Sequence, residues 1–268
     1  MTEIFDNIRG LYDFSLPCEP LRPFVEFFSE SSTEKTTGVA SGQPFHIEMF
    51  PSWTPTFWFN LGVPYQLTVA SSHFDIHPGH DILVLRDVQT IRHNQPGDNI
   101  FTVKFFPGGL EAILGVNQTK FLGRVVPLRE ILPIGLIHGL KTAPAAAQRI
   151  ALLEKYFLSA LRPRRSQDHY TKLVRDSIGA YENADMHPNT TELAEKHFLH
   201  SKTINRYFHR VIGLAPKRYL SIVRARTALT AYVARQQNFT PELFGYYDHS
   251  HFYKAVHQFT GRRLGIRR

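Results

Sequence analysis

Residues 193–220 read LAEKHFLHSKTINRYFHRVIGLAPKRYL, and this stretch decides the fold of the carboxy-terminal part of the chain. Within it Ile204, Phe208 and Val211 recur at spacings of four and three, the period of one buried helix face. Lys202, Asn205, Arg206 and His209 project elsewhere, with Thr203 among them. That outer face combines phosphate-pairing cations with an Asn and an Arg suited to bidentate contacts with base edges. Gly213 ends the helix and Pro216 opens the next. Upstream, Thr190-Thr191 precede Glu192, Leu193 and Ala194, an amino-terminal cap signal ahead of a short helix. The two short helices make a helix-turn-helix pattern.

A long helix is expected from Pro216 to about Gln236, with Leu220, Val223, Ala228, Leu229 and Tyr232 as its core contacts. A second, smaller unit follows it. Its helix begins near DHSHF (residues 248–252) and turns Phe252, Val256 and Phe259 inward, leaving His249, Ser250, His251, Lys254 and His257 for solvent or DNA. Both apolar faces are expected to close within this region, so a fragment starting near Gln167 should fold alone.

Charge is segregated along the chain. From Arg162 onward 19 Lys and Arg face 8 Asp and Glu, net +11, whereas the preceding residues carry 12 against 15, net −3. Such asymmetry suits a module that neutralises phosphates. The bland alternative is solubility.

The amino-terminal half alternates β-rich runs with turn residues: FHIEMF (45–50), TFWFNL (56–61), YQLTVA (65–70), DILVLRDV (81–88) and IFTVKFF (100–106). It reads as antiparallel sheet or barrel. Gly108-Gly109 then make a tight turn before a short helix, and with no Lys-Ser or Lys-Thr after them they fix a turn rather than cradle phosphate. From Ala145 to Leu161 the pattern is helical, with Ile150, Leu153, Phe157 and Ala160 forming a stripe that either packs on its own domain or pairs across a dimer. RPRRSQD (162–168) has no apolar residue to bury and reads as a linker. The expected class is therefore two-domain α+β: residues 1–161, a linker at 162–168, and an all-α double helix-turn-helix domain at 169–268. The opening MTEIFDNIRG lacks a signal-peptide apolar run and no stretch approaches membrane-helix length, so a cytoplasmic protein without a membrane partner is expected. A single cysteine, Cys18, offers neither a disulfide nor a zinc ribbon.

The order LAEKHFLHSKTINRYFHRVIGLAPKRYL, VRARTAL (223–229) and GYYDHSHFYKAVHQFTGRRLG (245–265) resembles the signature of the AraC family of transcription regulators over about 100 residues, from Asp168 to Ile266. The matching elements include Leu193-Ala194, Arg206, Phe208, Gly213, Pro216, Tyr219-Leu220, Arg224, Ala228, Gly245-Tyr246, Asp248, Ser250 and Phe252. Departures are His200 where the family has a capping Ser, an approach from Ala228 to Gly245 about two residues short with Pro241 inside it, and Arg262 where a Pro follows the last Gly. The approach to the second unit is thus expected to be a shortened or displaced helix. FWFNLGVPYQ (57–66), FFPGGLEAILGV (105–116) and RVVPLREI (124–131) resemble a cupin-like sensory domain that accompanies this module. The resemblance implies a sequence-specific, effector-responsive activator, with promoter or operator DNA, RNA polymerase and a small organic effector as partners, a possible homodimer and no cofactor. The competing class is a non-catalytic nucleic-acid or protein-binding module without effector control.

Three further features carry alternatives. His73, His77 and His80 suggest a metal site, to which Glu48, kept on one sheet face with His46 by strand spacing, is the only natural addition, but Pro78-Gly79 turns the chain there and no metal is expected. Trp53, Phe57, Trp58 and Phe59 line an effector pocket or are simply core. No GxSxG, P-loop or HExxH motif occurs, so no enzyme is expected. In the first recognition helix Asn205 and Arg206 are assigned to bases and Lys202 to phosphate, the alternative for Arg206 being an ion pair with Glu192 or Glu195; Lys254 and His251 are the counterparts in the second.

Overall fold

In the computed structural model, residues 1–39, 42–161, 169–234 and 238–264 are described. Among these residues the amino-terminal half forms ten strands in two antiparallel sheets. One has six strands: β1 (Tyr12–Ser15), β2 (Val25–Ser31), β4 (Thr56–Asn60), β7 (Ile82–Val84), β9 (Ile100–Phe105) and β10 (Val125–Pro127), in the order β1-β2-β9-β4-β7-β10. The other holds β3 (Phe45–Met49), β5 (Tyr65–Val69), β6 (Ser72–Ile76) and β8 (Thr90–Asn94), in the order β3-β8-β5-β6.

Strand alternation divides the apolar residues between two cores. Trp58, Ile82, Val84 and Ile100 point from the six-stranded sheet toward Ile47, Leu67, Val69 and Ile76 of the other sheet. Phe57, Phe59, Leu83, Phe101, Val103 and Phe105 point the opposite way, onto helices. Those helices are α2 (Gly109–Leu114), α3 (Ile134–Thr142) and α4 (Ala146–Leu161), while the short α1 (Thr33–Val39) follows β2. On α4 the buried residues are Arg149, Leu153, Phe157 and Leu161, one every four residues. Phe157 meets Phe105 at 5.7 Å, and Arg149 donates from Nε and Nη2 to the Glu30 carboxylate of β2 at 3.1 and 2.9 Å. The Ala145–Leu161 stripe thus packs on its own sheet.

The carboxy-terminal half is helical: α5 (His169–Glu182), α6 (Thr190–Lys196), α7 (Ser201–Val211), α8 (Pro216–Ala234) and α9 (His249–Thr260). The expected linker at 162–168 lies outside the described residues, as does the expected end of α8 at Gln236.

The helical half does not close its apolar faces alone. Trp53, from a loop of the amino-terminal half, is buried among Val174, Phe208, Val211 and Tyr219, and Ile4 and Phe5 pack against the core of the second unit. Phe259 of α9, expected inside its own unit, packs on Phe50 of the sheet half at 5.5 Å. Gly108 lies where a Cβ would come within 2.4 Å of Thr171 and 2.9 Å of Val211, and its φ of +73° is one that a side chain disfavours. This glycine serves a turn, as its sequence suggests, and also lets the two halves touch.

Candidate nucleic-acid interface

The first unit is built from α6 and α7. Its cap is Asn189 rather than the Thr190-Thr191 pair: its side chain accepts from the backbone N–H of Thr191 and Glu192, and Glu192 accepts in return from the Asn189 N–H at 3.0 Å. The cap therefore sits one residue earlier than the sequence suggested. Leu193 and Ala194 are buried below it. In α7, Ile204, Phe208 and Val211 are fully buried. Lys202, Asn205, Arg206 and His209 are exposed and Thr203 is half-buried. His200 occupies the cap position without a side-chain bond, leaving the helix to begin at Ser201. Among the described residues Arg206 makes no ion pair with Glu192 or Glu195; its guanidinium lies over the Tyr207 ring, 5.4 Å from the centroid.

Gly213 at φ +89° breaks α7, and Pro216 opens α8. Tyr219, Leu220, Ala225, Ala228 and Leu229 are buried along α8, with Val223 and Tyr232 half-buried. Arg224, in the middle of α8, donates to the Gly245 carbonyl at 3.0 Å and lies 4.8 Å from the Tyr246 ring centre. It therefore fixes the loop that leads into the second unit. That loop contains a 3-10 turn at Pro241–Phe244, ended by Gly245 at φ +69°, in place of a full helix. The shortened approach expected from Pro241 is this turn.

Asp248 caps α9 by accepting from the His251 N–H at 2.7 Å. Phe252 and Val256 are fully buried in an aromatic cluster with Tyr232 and Phe239. His249, Ser250, His251 and Lys254 are exposed. Two of them also brace the unit: His249 packs edge-on to Phe239, and His251 packs on Tyr246 while its Nδ1 accepts from the Tyr247 N–H.

Beside the exposed face of α7 the structure shows a cleft that sequence reading missed. Its walls are His169, Tyr170, Arg206, Tyr207 and Arg210, around a volume of about 400 Å³. The guanidinium of Arg210 lies 4.0 Å above the Tyr170 ring centre. The available signal was Arg206 and Arg210 one helical turn apart with a tyrosine between them, but Tyr170 comes from a helix 37 positions away.

The remaining sequence candidates separate. Phe57 and Phe59 join the core under the helices, Trp58 lies between the sheets, and Trp53 enters the helix-turn-helix core, so the four aromatics line no common cavity. The physical reason is strand alternation for 57–59 and a left-handed backbone at Trp53, φ +54°. The histidines are likewise dispersed: His77 and His80 meet edge to face at 5.3 Å, whereas the Nδ1 of His73 bonds the Thr68 hydroxyl that His93 also reaches. Among the described residues no group of three or more His, Cys, Asp and Glu is placed to hold a metal ion. Among the same residues no helix is long and apolar enough to cross a membrane.

No family model and no curated protein matches the chain. Solved structures do. ToxT from Vibrio cholerae is similar over 82% of this chain and 95% of that one, at 9% identity and a TM-score of 0.45. An unsaturated fatty acid-bound ToxT from Vibrio cholerae strain SCE256 covers 82% and 91%, at 8% identity and 0.44. The AraC-like transcriptional activator CuxR covers 89% and 92%, at 10% identity and 0.29. An antiparallel β half is followed in this chain by two helix-turn-helix units on one connecting helix.

Proposed function

We propose that the chain is a sequence-specific regulator of transcription that binds promoter or operator duplex DNA, with α7 and α9 as its recognition helices. The observation that carries this reading is the pair of helices α7 and α9, each with a buried apolar face and an exposed polar face, joined by α8 in the half of the chain whose net charge is +11. Lys202, Thr203, Asn205, Arg206 and His209 present the first reading face, and His249, Ser250, His251 and Lys254 the second. In the second face the histidines also brace α9, which leaves Ser250 and Lys254 as its freest groups. The protein acts by binding, in the cytoplasm, and recruits RNA polymerase rather than performing chemistry of its own.

The amino-terminal half is proposed to transmit the state of a small-molecule effector or of a homodimer. It touches α7 through Gly108, α8 through Glu3 and α9 through Phe50, so any change in its shape reaches all three helices. Coupling of this kind is reciprocal: what tightens DNA binding is tightened by DNA. Mapping the chain's genomic binding sites and measuring salt-dependent affinity for those duplexes tests the reading. Affinity equal for mapped and scrambled duplexes would overturn sequence specificity, and absence of any duplex binding at low salt would overturn the whole proposal.

A further inference from the structure

The cleft beside α7 carries an inference that rests on the DNA-binding reading and deepens it. Arg206 and Arg210 sit one helical turn apart, an arrangement of like charges that disfavours the helix unless something offsets it. Among the described residues neither makes an ion pair with a carboxylate. Aromatic rings hold them instead. Arg210 lies 4.0 Å from the centre of Tyr170 and Arg206 lies 5.4 Å from that of Tyr207. The two rings meet at 5.8 Å, and Tyr207 Oη is 3.3 Å from His169 Nε2.

Stacking of this kind occupies the face of a guanidinium and leaves its N–H edge free to donate. It also immobilises the side chain before any partner arrives, which lowers the entropy lost on binding. The result is a volume of about 400 Å³ bordered by two guanidiniums, an imidazole and two tyrosines. A tetrahedral oxyanion matches this donor set, because guanidinium edges pair with phosphate oxygens in a bidentate fork. Around the axis of α7, Tyr207 and Arg210 fall on the flank next to Lys202, Arg206 and His209. That flank meets the wall of the major groove when the latter face enters it, and the wall is phosphodiester.

We propose that the His169–Tyr170–Arg206–Tyr207–Arg210 cleft is a phosphate site that seats one phosphodiester of the DNA backbone and sets the depth and tilt at which α7 enters the groove. Arg210 is its principal cation, and Arg206 stands on the border between this site and the reading face. The shared chemistry is phosphate, available from a DNA backbone or from a free anion in solution.

The experiment uses the full chain and has two arms. In the first, Arg210→Ala and Tyr170→Leu proteins, checked by thermal melts, are titrated with a mapped duplex and a random-sequence duplex at several salt concentrations. Arg210→Ala is expected to weaken both duplexes by about tenfold and to lower the salt slope by about one unit. Tyr170→Leu should weaken both to a lesser degree, and Arg210→Lys should keep the slope. In the second arm, inorganic phosphate is added at constant ionic strength to protein with isotope-labelled histidine. The His169 resonances are expected to shift saturably in the wild type and not in Arg210→Ala.

Unchanged affinity and slope in Arg210→Ala, with no saturable phosphate shift, would overturn the site. A phosphate shift with unchanged duplex binding would assign the cleft to a free phosphate and overturn the backbone role. If the wild-type chain binds no duplex, the DNA-binding reading and the backbone role fail together, and the phosphate arm alone decides whether the cleft is an anion site.

Discussion

The carboxylate of Glu3 accepts from the guanidinium of Arg226 at 2.8 Å, so the third residue of the chain is tied to the middle of the helix that joins the two recognition units. The same carboxylate accepts from Arg86 at 3.3 Å and from the Phe50 N–H at 2.8 Å, while Arg226 also donates to the Pro51 carbonyl at 3.2 Å. Glu3 therefore ties the amino-terminal half to α8 at several points at once. Burial by itself would raise the Glu3 pKa, but Arg86 and Arg226 outweigh it and hold the carboxyl well below the usual carboxylate range.

Glu3→Gln is expected to loosen this joint. Removing one partner from a buried ion cluster leaves the others uncompensated and costs about 3–5 kcal/mol; here two guanidiniums are left. A lowered melting temperature and faster hydrogen exchange along α8 would show it. The pH dependence has a fixed sign. Because the folded-state pKa is depressed, the stabilisation is complete above the ordinary carboxylate value of 4.5 and fades as pH falls below it. Wild-type stability should decline in that acid window more steeply than that of Glu3→Gln; parallel curves would refute the role of Glu3.

Trp53 and Gly108 predict the cost of separating the halves. Trp53→Ala empties a site in the core of the first unit, and truncations of this size cost about 3–5 kcal/mol. Gly108→Ala adds a single carbon that must displace Thr171 and Val211, at a backbone φ of +73°. Both should lower the melting temperature, but only Gly108→Ala should move the halves apart without removing core. Scattering in solution tests this: an enlarged radius for Gly108→Ala at a temperature where it remains folded is expected, and an unchanged radius would show that the contact yields locally.

The helix-turn-helix units were legible because each is specified by neighbours in sequence: Ile204, Phe208 and Val211 lie within one helix, and Gly213, Pro216 and Asp248 mark their boundaries locally. The joint was not. Glu3 and Arg226 are 223 positions apart, and nothing near Arg226 separates an inward-facing arginine from its exposed neighbours. Strand β2 escaped for a related reason. Its VEFFSES carries Glu26 and Glu30, which suit a buried strand only because Lys104 and Arg149 arrive from distant elements to pair with them. The aromatic run 57–59 showed that strands were present, but side-chain alternation divided Phe57 and Phe59 from Trp58.

In the turn from β8 to β9, Asp98 supplies a second, opposite pH response. It is almost wholly buried and no side chain among the described residues hydrogen-bonds its carboxylate, the Gln95 backbone being the one polar group that reaches it, while Asn94 Nδ2 and Tyr65 Oη are unpartnered. Burial outweighs the attraction of nearby Arg92 and raises its pKa to about 6. A raised carboxyl pKa means that the folded state holds its proton longer than the unfolded chain. The associated stability is present below the ordinary value of 3.8 and is lost as pH rises through about 6. Asp98→Asn should therefore stabilise the protein at pH 8, on the scale of about 1–3 kcal/mol for a buried unsatisfied group, with the gain shrinking toward pH 4. Melting curves across that range would decide, and an Asn variant no more stable than wild type at pH 8 would count against a destabilising, ionised carboxylate at this buried position.

The final prediction separates reading from gripping on α7. Arg206 stands on the exposed face opposite Ile204 and Phe208 and Asn205 is exposed on the flank beside Phe208, both where an inserted helix presents side chains to base edges, and Lys202 lies one turn before Arg206 toward the start of the helix. Losing a bidentate base contact costs about 1–3 kcal/mol at the preferred base pair and relaxes selection there, whereas losing a phosphate contact weakens every sequence alike and lowers the salt slope by about one unit. Arg206→Ala and Asn205→Ala are expected to behave in the first way and Lys202→Ala in the second. The stacking of Arg206 on Tyr207 sharpens the test, because both a reading arginine and a purely bracing one would use that ring. A thermal melt and a binding titration on the same Arg206→Ala protein distinguish them. An unchanged melting temperature with selectivity lost at one base pair is the expected result, whereas a lowered melting temperature with unchanged discrimination among duplexes would leave Arg206 a brace and remove it from the reading face.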